Sequence, residues 1–473
     1  MSAPSRDLKS SASLEATERL VEEAKRLLIS AERIYVEQNQ RSKKQHILAS
    51  ESLPGGNTRS VLYTDPFPIC MEKGEANKLV DVDGHEYLDL VGEMTAGLYG
   101  HSNPIIRDAI IRTVSEAGLN LGATTVAESQ FAEQIRQRFP SIEQLRFCNS
   151  GTEANLYALS IARRATGLSK VIVFNGGYHG GILSFAHGVA ENNVDRGDWI
   201  VGKYNDVEGV QTLISKYKGF AAAVLVEGMQ GAGGCIPGTA EFLHAIQAAT
   251  RENEMIFILD EVMTSRLAPG GLQSRVLSPC DSTPLKPDIT TLGKWIAGGM
   301  AIGVFGGRRD LLSLYDPRAV MDASGKRIQM SHSGTFNNNT LAMNVGLVAL
   351  STVYTAEACT ALNNLGDWFR QGLQARCRGT RMSVTGIGAV CNVHFTPDVK
   401  TTGVTHVGDL EVETNGGEAM LKDLFWYYAV RNGYWISRRG MLSLILGITR
   451  AELQGFLDMV EDFVKEHHAF FRC

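Results

Sequence analysis

Several things are scarce in this chain, and each scarcity excludes a class of function. No two of the eight cysteines, at 70, 148, 235, 280, 359, 377, 391 and 473, form a C-x-x-C pair, and no metal-ligand spacing occurs elsewhere. Scattered thiols of this kind suit a reducing compartment, and the cytoplasm is the expected location. Positive charge is not in excess: 46 Lys and Arg stand against 51 Asp and Glu, a net charge of −5. Nothing general therefore draws the chain to nucleic acid or to an anionic membrane. Long apolar runs are missing as well. The stretch Val171 to Ala190 lacks Asp, Glu, Lys and Arg, but its five glycines and two histidines do not fit a membrane span. The opening MSAPSRDLKSS has no apolar core of a secretory signal, and Glu15, Glu18, Glu22 and Glu23 oppose a mitochondrial presequence. Proline is sparse at 13 residues, whereas glycine reaches 49 with no Gly-X-Y period. Many tight turns and close backbone approaches are implied, not a fibre.

What is present is globular. The 473 residues are 44% hydrophobic and 21% charged, enough for two or three domains with a large core. Residues 14–48 carry Leu20, Ala24, Leu27 and Leu28 at helical spacing, which predicts an amphipathic helix. LPGGNTRS (53–60) reads as a turn-rich loop, and LVDVDGHEYLDLV (79–91) as two strands around an Asp-Gly turn. The middle alternates: a helix over 152–167 with Leu156, Leu159 and Ala162 on its apolar face, strands at 171–174, 221–227, 255–261, 288–294 and 303–307, and a helix over 241–253. Strands separated by helices predict an α/β fold with a mostly parallel, doubly wound sheet, whose chemistry belongs at the carboxyl ends of the strands. From about 346 longer helices take over, then a strand-like AVCNVHF and a terminal helix from about 449. The expected organisation is a large domain over 91–345 and a smaller α+β domain made from 1–90 and 346–473. Residues 273–287 and 317–331 read as irregular loops.

Five segments can carry chemistry. NSGTEAN (149–155) follows a strand and opens a helix, so Ser150, Gly151 and Thr152 offer hydroxyls and free N–H groups to a phosphate. A plain helix cap by Thr152 is the alternative. In GGYHGG (176–181), Tyr178 is held in a glycine loop at a strand end, where its ring can lie on a flat ligand or simply pack. Asp260 ends an apolar strand in LDEVMTS, where a carboxylate needs a cationic partner: a protonated ring nitrogen, or an ordinary Arg or Lys. Lys294, in TLGKWIAGGM, is a single lysine in uncharged sequence at a strand end, either a desolvated amine nucleophile or a surface lysine. HSGTFNNN (332–339) is a hydroxyl-bearing loop that binds an anion or forms a surface turn. Taken in order, a phosphate cradle, an aromatic lid, a buried acid and a buried lysine describe a site for pyridoxal 5'-phosphate.

On these motifs the chain resembles the class III (ω-type) aminotransferases of fold type I. RSVLYTDPFP, EMTAGLYGHS, LRFCNSGTEAN, GGYHGG, VEGMQGAGGCIPG, DEVMTSRLAPGGL, TLGKWIAGGM and HSGTFNNN are typical of the transaminases that act on aromatic β-amino acids, the β-phenylalanine aminotransferases, over about 50–460. The resemblance implies a ping-pong transfer of an amino group from a β-amino acid, or a related amine, to a 2-oxo acid. It implies that Lys294 forms the internal aldimine and shuttles the proton, and that Asp260 keeps the pyridine nitrogen protonated. Val262 and Tyr178 would cover the two ring faces. Gly151 and Thr152 would hold the phosphate, with Gln230 near the ring hydroxyl. It implies a homodimer in which Thr335 reaches the phosphate of the neighbouring subunit. Arg59, in TRSVL, would take the β-amino acid carboxylate, and Arg439, in SRRG, the acceptor; the fork of an arginine grips a carboxylate through two hydrogen bonds. Two positions depart from the pattern. Gly228 replaces a proline in VEGMQG, and Arg438 replaces a proline in SRRG, where it competes with Arg439 as the carboxylate partner. Glutamate-1-semialdehyde 2,1-aminomutase shares many of these motifs, and an ω-amine transaminase of secondary metabolism or a pyridoxal-phosphate-binding regulator are further readings.

Overall fold

In the computed structural model of the chain, the described residues are 11–318, 321, 325, 329–396, 403–414 and 417–471. The expected loop over 317–331 lies largely outside them, as do residues 1–10 and Cys473. The amphipathic N-terminal pattern forms two helices, α1 (Ser11–Gln38) and α2 (Gln40–Ser50), and not the single one expected over 14–48. Asn39 makes the break: its φ of −119° and ψ of 47° are not helical, and its side-chain amide donates to the Tyr35 carbonyl at 2.7 Å. An Asn side chain that bonds nearby backbone competes with the helix ladder in this way. Ala24 is buried, and Leu27 and Leu28 pack against the core as the spacing implies.

The Asp-Gly segment forms the antiparallel pair expected of it, β2 (Lys78–Asp81) with β3 (Glu86–Asp89), preceded by β1 (Met71–Glu75). Tyr434–Trp435 adds to β3 in parallel. Near the other end of the chain, Trp426 and Tyr427 of the helix Gly417–Arg431 meet the ring of Tyr35 at 5.6 and 5.4 Å. Segments from both ends of the sequence thus share one layer.

The central sheet has seven strands: β4 (Gln144–Cys148), β5 (Lys170–Phe174), β6 (Trp199–Gly202), β7 (Ala221–Glu227), β8 (Ile256–Asp260), β9 (Ile289–Gly293) and β10 (Gly303–Gly307), in the order β4-β10-β9-β8-β7-β5-β6. The run from β9 to β6 is parallel, and β10 is antiparallel to both neighbours. The segment 294–302 is too short for the crossover of a dozen or more residues that a parallel partner needs, so β10 has to turn straight back. Two neighbours of the sheet, β6 and the helix Val207–Lys216, were not read from the sequence.

Helices cover both faces. Val171, Val173, Ala223, Leu225, Ile258 and Phe305 pack with the helix Gly151–Thr166. Ile172, Phe174, Val224, Val226, Phe257 and Leu259 pack with Phe242, Leu243 and Ile246 of the helix Ala240–Glu252. Alternate residues of each strand therefore enter opposite layers, which explains why the strands are apolar throughout. The buried face of the helix Gly151–Thr166 comprises Ala154, Asn155, Ala158, Leu159, Ile161 and Ala162. Leu156, expected on that face, is only partly buried. The terminal helix Arg450–Glu466 starts one residue after its predicted position, capped by a reciprocal Thr449–Glu452 box. Among the described residues no single helix is long and apolar enough to cross a membrane; a bent pair, Thr340–Val353 with Ala356–Cys377, passes on length and composition.

Leu225 is fully buried in one of these layers. Leu225→Ala is expected to lower unfolding stability by ~2–5 kcal/mol, read from equilibrium chemical denaturation. An unchanged midpoint contradicts this packing.

Candidate active site

The carboxyl ends of β7, β8 and β9 lie in register: Asp260 pairs with Glu227 on one side and with Thr291 on the other. Asp260 is buried and its carboxylate is well held. Oδ2 sits 2.8 Å from Nδ1 of the buried His179 and accepts from the Asn155 amide at 2.8 Å; Oδ1 accepts from the Val262 N–H at 2.9 Å. The Asn155 amide also donates to the His179 carbonyl at 3.0 Å, and its oxygen accepts from the Thr291 hydroxyl at 2.8 Å. Burial alone would raise the Asp260 pKa. The bond to and charge of His179, then the Val262 N–H and the Lys294 charge, outweigh it and hold the carboxyl below its ordinary value. Among the described residues no Arg or Lys forms the ion pair that the plainer reading of Asp260 required. A carboxylate accepts at about four positions, and three are filled, so one remains for a protonated ring nitrogen.

Lys294 directly follows β9, at the start of a short turn, with φ +54°. That left-handed conformation is uncommon outside glycine and marks a position the surroundings over-determine. The next residue does the holding: Trp295 is fully buried and donates its ring N–H to the Ser265 hydroxyl at 3.0 Å. Desolvation lowers the Lys294 pKa; the charges of Asp260 and Glu227 oppose it, and that of Arg59 lowers it further. An amine shifted toward its neutral form is the species that acts as a nucleophile or base.

The turn before the helix Gly151–Thr166 is capped by Ser150, whose hydroxyl accepts from the Glu153 N–H at 3.1 Å. Thr152 is not the cap, so its hydroxyl is not committed in that way. A Cβ on Gly151 would stand 2.7 Å from Val262 Cγ1, and one on Gly180 only 2.3 Å from the Thr152 hydroxyl. The phosphate turn, the LDEVMTS segment and the GGYHGG loop are thus brought together, and only glycine permits the closeness. Asn149 donates to Asn337 at 2.9 Å, which sets the HSGTFNNN loop beside the same turn; Thr335 in that loop is exposed.

Tyr178 is 44% exposed, and its backbone N–H donates to Glu227 at 2.9 Å. Gln230 is buried; its amide donates to the Asn175 carbonyl at 2.9 Å, while its oxygen has no hydrogen-bond partner among the described residues. A buried acceptor left unpaired costs about 1–3 kcal/mol, and a ring hydroxyl is a donor of the right kind. The residues present therefore fit pyridoxal phosphate: free donors for a phosphate, an exposed aromatic ring, an orphaned acceptor, a carboxylate with one open position and a desolvated amine.

Arg59 is half-exposed and ion-paired through one guanidinium nitrogen with Glu93. The two arginines of SRRG differ in their contacts. Arg438 donates to Asp423 at 2.6 Å and to the Asp65 carbonyl at 2.9 Å, and lies over Trp426 and Tyr427. Arg439 is exposed, with no carboxylate partner among the described residues. Gly228 has a local explanation: Leu272 Cδ2 lies 3.0 Å from where its Cβ would be, so a side chain there is crowded. Among the described residues no group of three His, Cys, Asp or Glu is placed to hold a metal.

Three residues of the site escaped the sequence reading. Asn155 was legible as a polar residue one turn before Leu159 on a buried face. His179 sits inside the quoted GGYHGG. Glu227 ends a parallel strand as Asp260 does; it is buried and accepts from the Tyr178 and Gly231 N–H groups, both at 2.9 Å. Burial raises its pKa to about 7; the His179 charge and the two N–H bonds lower it, and the Asp260 charge adds to the rise.

A family profile for class III aminotransferases matches residues 61–464. The chain is 46% identical to an uncharacterised aminotransferase of Schizosaccharomyces pombe, over 93% of this chain and 95% of that one. It is 40% identical to the β-phenylalanine transaminase of Variovorax paradoxus, over 93% and 96%. The solved structure of a β-phenylalanine aminotransferase from that organism superposes with a TM-score of 0.88, covering 95% of this chain and 99% of that one. A glutamate-1-semialdehyde 2,1-aminomutase of Rhodopirellula baltica is 35% identical over 74% and 80%. A transaminase solved with pyridoxal phosphate bound matches at TM-score 0.79 and 26% identity, over 91% and 98%.

The raised pKa of Glu227 has a measurable consequence. Between its ordinary value of 4.5 and about 7 the folded chain binds more protons than the unfolded chain. Stability therefore falls as pH rises through that window and is level above it. Relative to wild type, Glu227→Gln should gain about 3 kcal/mol on going from about pH 4 to about pH 8. Denaturation curves at the two pH values that show a constant difference would contradict the assignment.

Proposed function

We propose for this chain, which belongs to the class III aminotransferases, pyridoxal-phosphate-dependent enzymes of fold type I, that it moves the amino group of a β-amino acid to a 2-oxo acid in a ping-pong sequence. The observation that carries the reading is that Asp260, held ionised by His179, Asn155 and the Val262 N–H, ends the strand beside the one that leads to the desolvated Lys294. When bound, pyridoxal phosphate supplies a carbonyl carbon for the amine and a protonated ring that accepts electrons as a C–H bond breaks.

The chain's own residues do the rest. Lys294 Nζ, when neutral, would take the proton from the donor's amine-bearing carbon and hand it to the cofactor carbon that receives the amino group, ending neutral again. Asp260 holds the ring nitrogen protonated, and is itself kept ionised by His179 and Asn155. Ser150, Gly151 and Thr152 bind the phosphate, Gln230 accepts from the ring hydroxyl, and Val262 and Tyr178 enclose the ring. Arg59 holds the donor carboxylate and Arg439 that of the acceptor, which Arg438 cannot do while it is paired with Asp423. The partner subunit's Thr335 completes the phosphate site, so the working unit is a homodimer; exposure of Thr335 supports this. The division into a large domain over 91–345 and a small one from 1–90 and 346–473 belongs to the same reading. It is supported by the pairing of β3 with Tyr434–Trp435. A reducing, cytoplasmic setting is supported by seven described cysteines that are all free.

The 35% identity to an aminomutase favours a second reading, transfer within one molecule. Dependence on an added 2-oxo acid separates the two, since an aminomutase needs none. The defining experiment is a panel of β-amino acids, aromatic and aliphatic, scored by pyridoxamine phosphate formed and by keto-acid dependence. Lys294→Ala is expected to lose the visible absorbance of the loaded enzyme and at least ~10²–10⁴-fold in turnover. An active, yellow variant is incompatible with the proposal. Arg59→Gln should raise KM for the β-amino acid by about 10-fold or more, the worth of a charge-assisted hydrogen bond.

A further inference from the structure

Glu93 lies in a segment with an unusual backbone. Gly92, Glu93, Met94 and Thr95 have φ of +52°, +48°, +52° and +80° in succession, three of them residues with a side chain. Such conformations persist only where neighbours impose them, and they gather at functional sites. Both flanks of the segment supply such neighbours. Asp89 accepts from the Val91 and Gly92 N–H groups at 2.8 and 3.0 Å, and His101 holds the other Asp89 oxygen at 3.0 Å. Ser443 donates its N–H to Leu90 at 2.7 Å. The fully buried Arg266 reaches both the Ser443 hydroxyl, at 3.0 Å, and the Thr95 carbonyl, at 3.4 Å. The segment is clamped on both sides, and its single charged side chain, Glu93, is delivered to Arg59.

The pair is built to be exchanged. It uses one guanidinium nitrogen, and both side chains are exposed, 42% for Arg59 and 56% for Glu93. Exposed ion pairs are weak. A free carboxylate that engages the arginine fork through two parallel hydrogen bonds makes the stronger contact. We propose that Glu93 is an internal stand-in for the donor carboxylate: it neutralises Arg59 until a substrate carboxylate displaces it, and it stays in place when the donor has no carboxylate. This deepens the reading that Arg59 is the donor-carboxylate residue, and rests on it. Glu93 is then a specificity-determining residue. Carboxylate-bearing donors bind against a fixed competitor, whereas uncharged amines meet a neutral surface and not an unpaired cation.

The test is calorimetric titration of the holoenzyme with 3-phenylpropanoate, an unreactive carboxylate, on wild type, Glu93→Gln, Arg59→Gln and the double variant. Glu93→Asn serves as a second variant, because Asn tolerates the left-handed conformation better than other side chains. Removing the competitor should tighten binding about two- to five-fold, the range of an exposed pair. The gain should vanish when Arg59 is absent. In turnover, KM for a carboxylate donor should fall by the same factor without a matching change in kcat, while KM for 1-phenylethylamine does not improve; a merely structural role would not produce that split. Binding unchanged or weakened in both Glu93 variants, or a gain that persists without Arg59, overturns the proposal. If no β-amino acid is a donor but the binding cycle still shows the coupling, the substrate reading fails and the exchange at Arg59 stands.

Discussion

The site depends on how one carboxylate survives burial. Asp260 ends the central strand with apolar layers on both sides, where an isolated negative charge would cost several kcal/mol and the group would take up a proton. His179, Asn155 and the Val262 N–H prevent that. Each comes from a different element: the loop after β5, the helix after β4, and the chain just beyond β8 itself. Asp260 can therefore stay ionised only if the sheet, the helix and the glycine loop are assembled. Thr291 on β9 orients the Asn155 amide, so the strand that leads to Lys294 is tied to the same bonds.

Of the parallel strands, β5, β7, β8 and β9 were readable because each is a short run with little charge bounded by turn residues. The termini of those strands were readable because Asp260 and Lys294 are charged residues where the pattern is otherwise uncharged. Local competition was harder to see. The break at Asn39 depends on one side chain reaching one carbonyl, and the reversal of β10 depends on the length of a turn. His179 and Asn155 were hidden for a different reason: a polar residue inside an apolar pattern is equally consistent with a surface position until its partner is known, and here the partner is far away in sequence. Arg438 shows the converse. Its neighbour Arg439 has identical chemistry, and only the positions of Asp423, on the helix Gly417–Arg431, and of the Asp65 carbonyl separate an arginine held by the fold from one with no carboxylate partner among the described residues.

Two acids in register on adjacent strands have opposite fates. Asp260 and Glu227 are both buried at strand ends, yet one is held below its usual pKa and the other rises to about 7. The difference lies in the donors. Asp260 faces a ring nitrogen of His179, whereas Glu227 receives two neutral backbone N–H groups and the repulsion of Asp260. Environments that drive two like groups apart are how one site holds both a fixed charge and a proton that can move near neutral pH. The assignment has a consequence for Lys294. Both carboxylates raise the amine's pKa, but only Asp260 is fully charged across the neutral range; protonation of Glu227 removes part of that support and favours the neutral amine. Arg59 presses in the same direction, and its pairing with Glu93 offsets part of that push, so the amine is poised by a balance of charges that the fold holds in place.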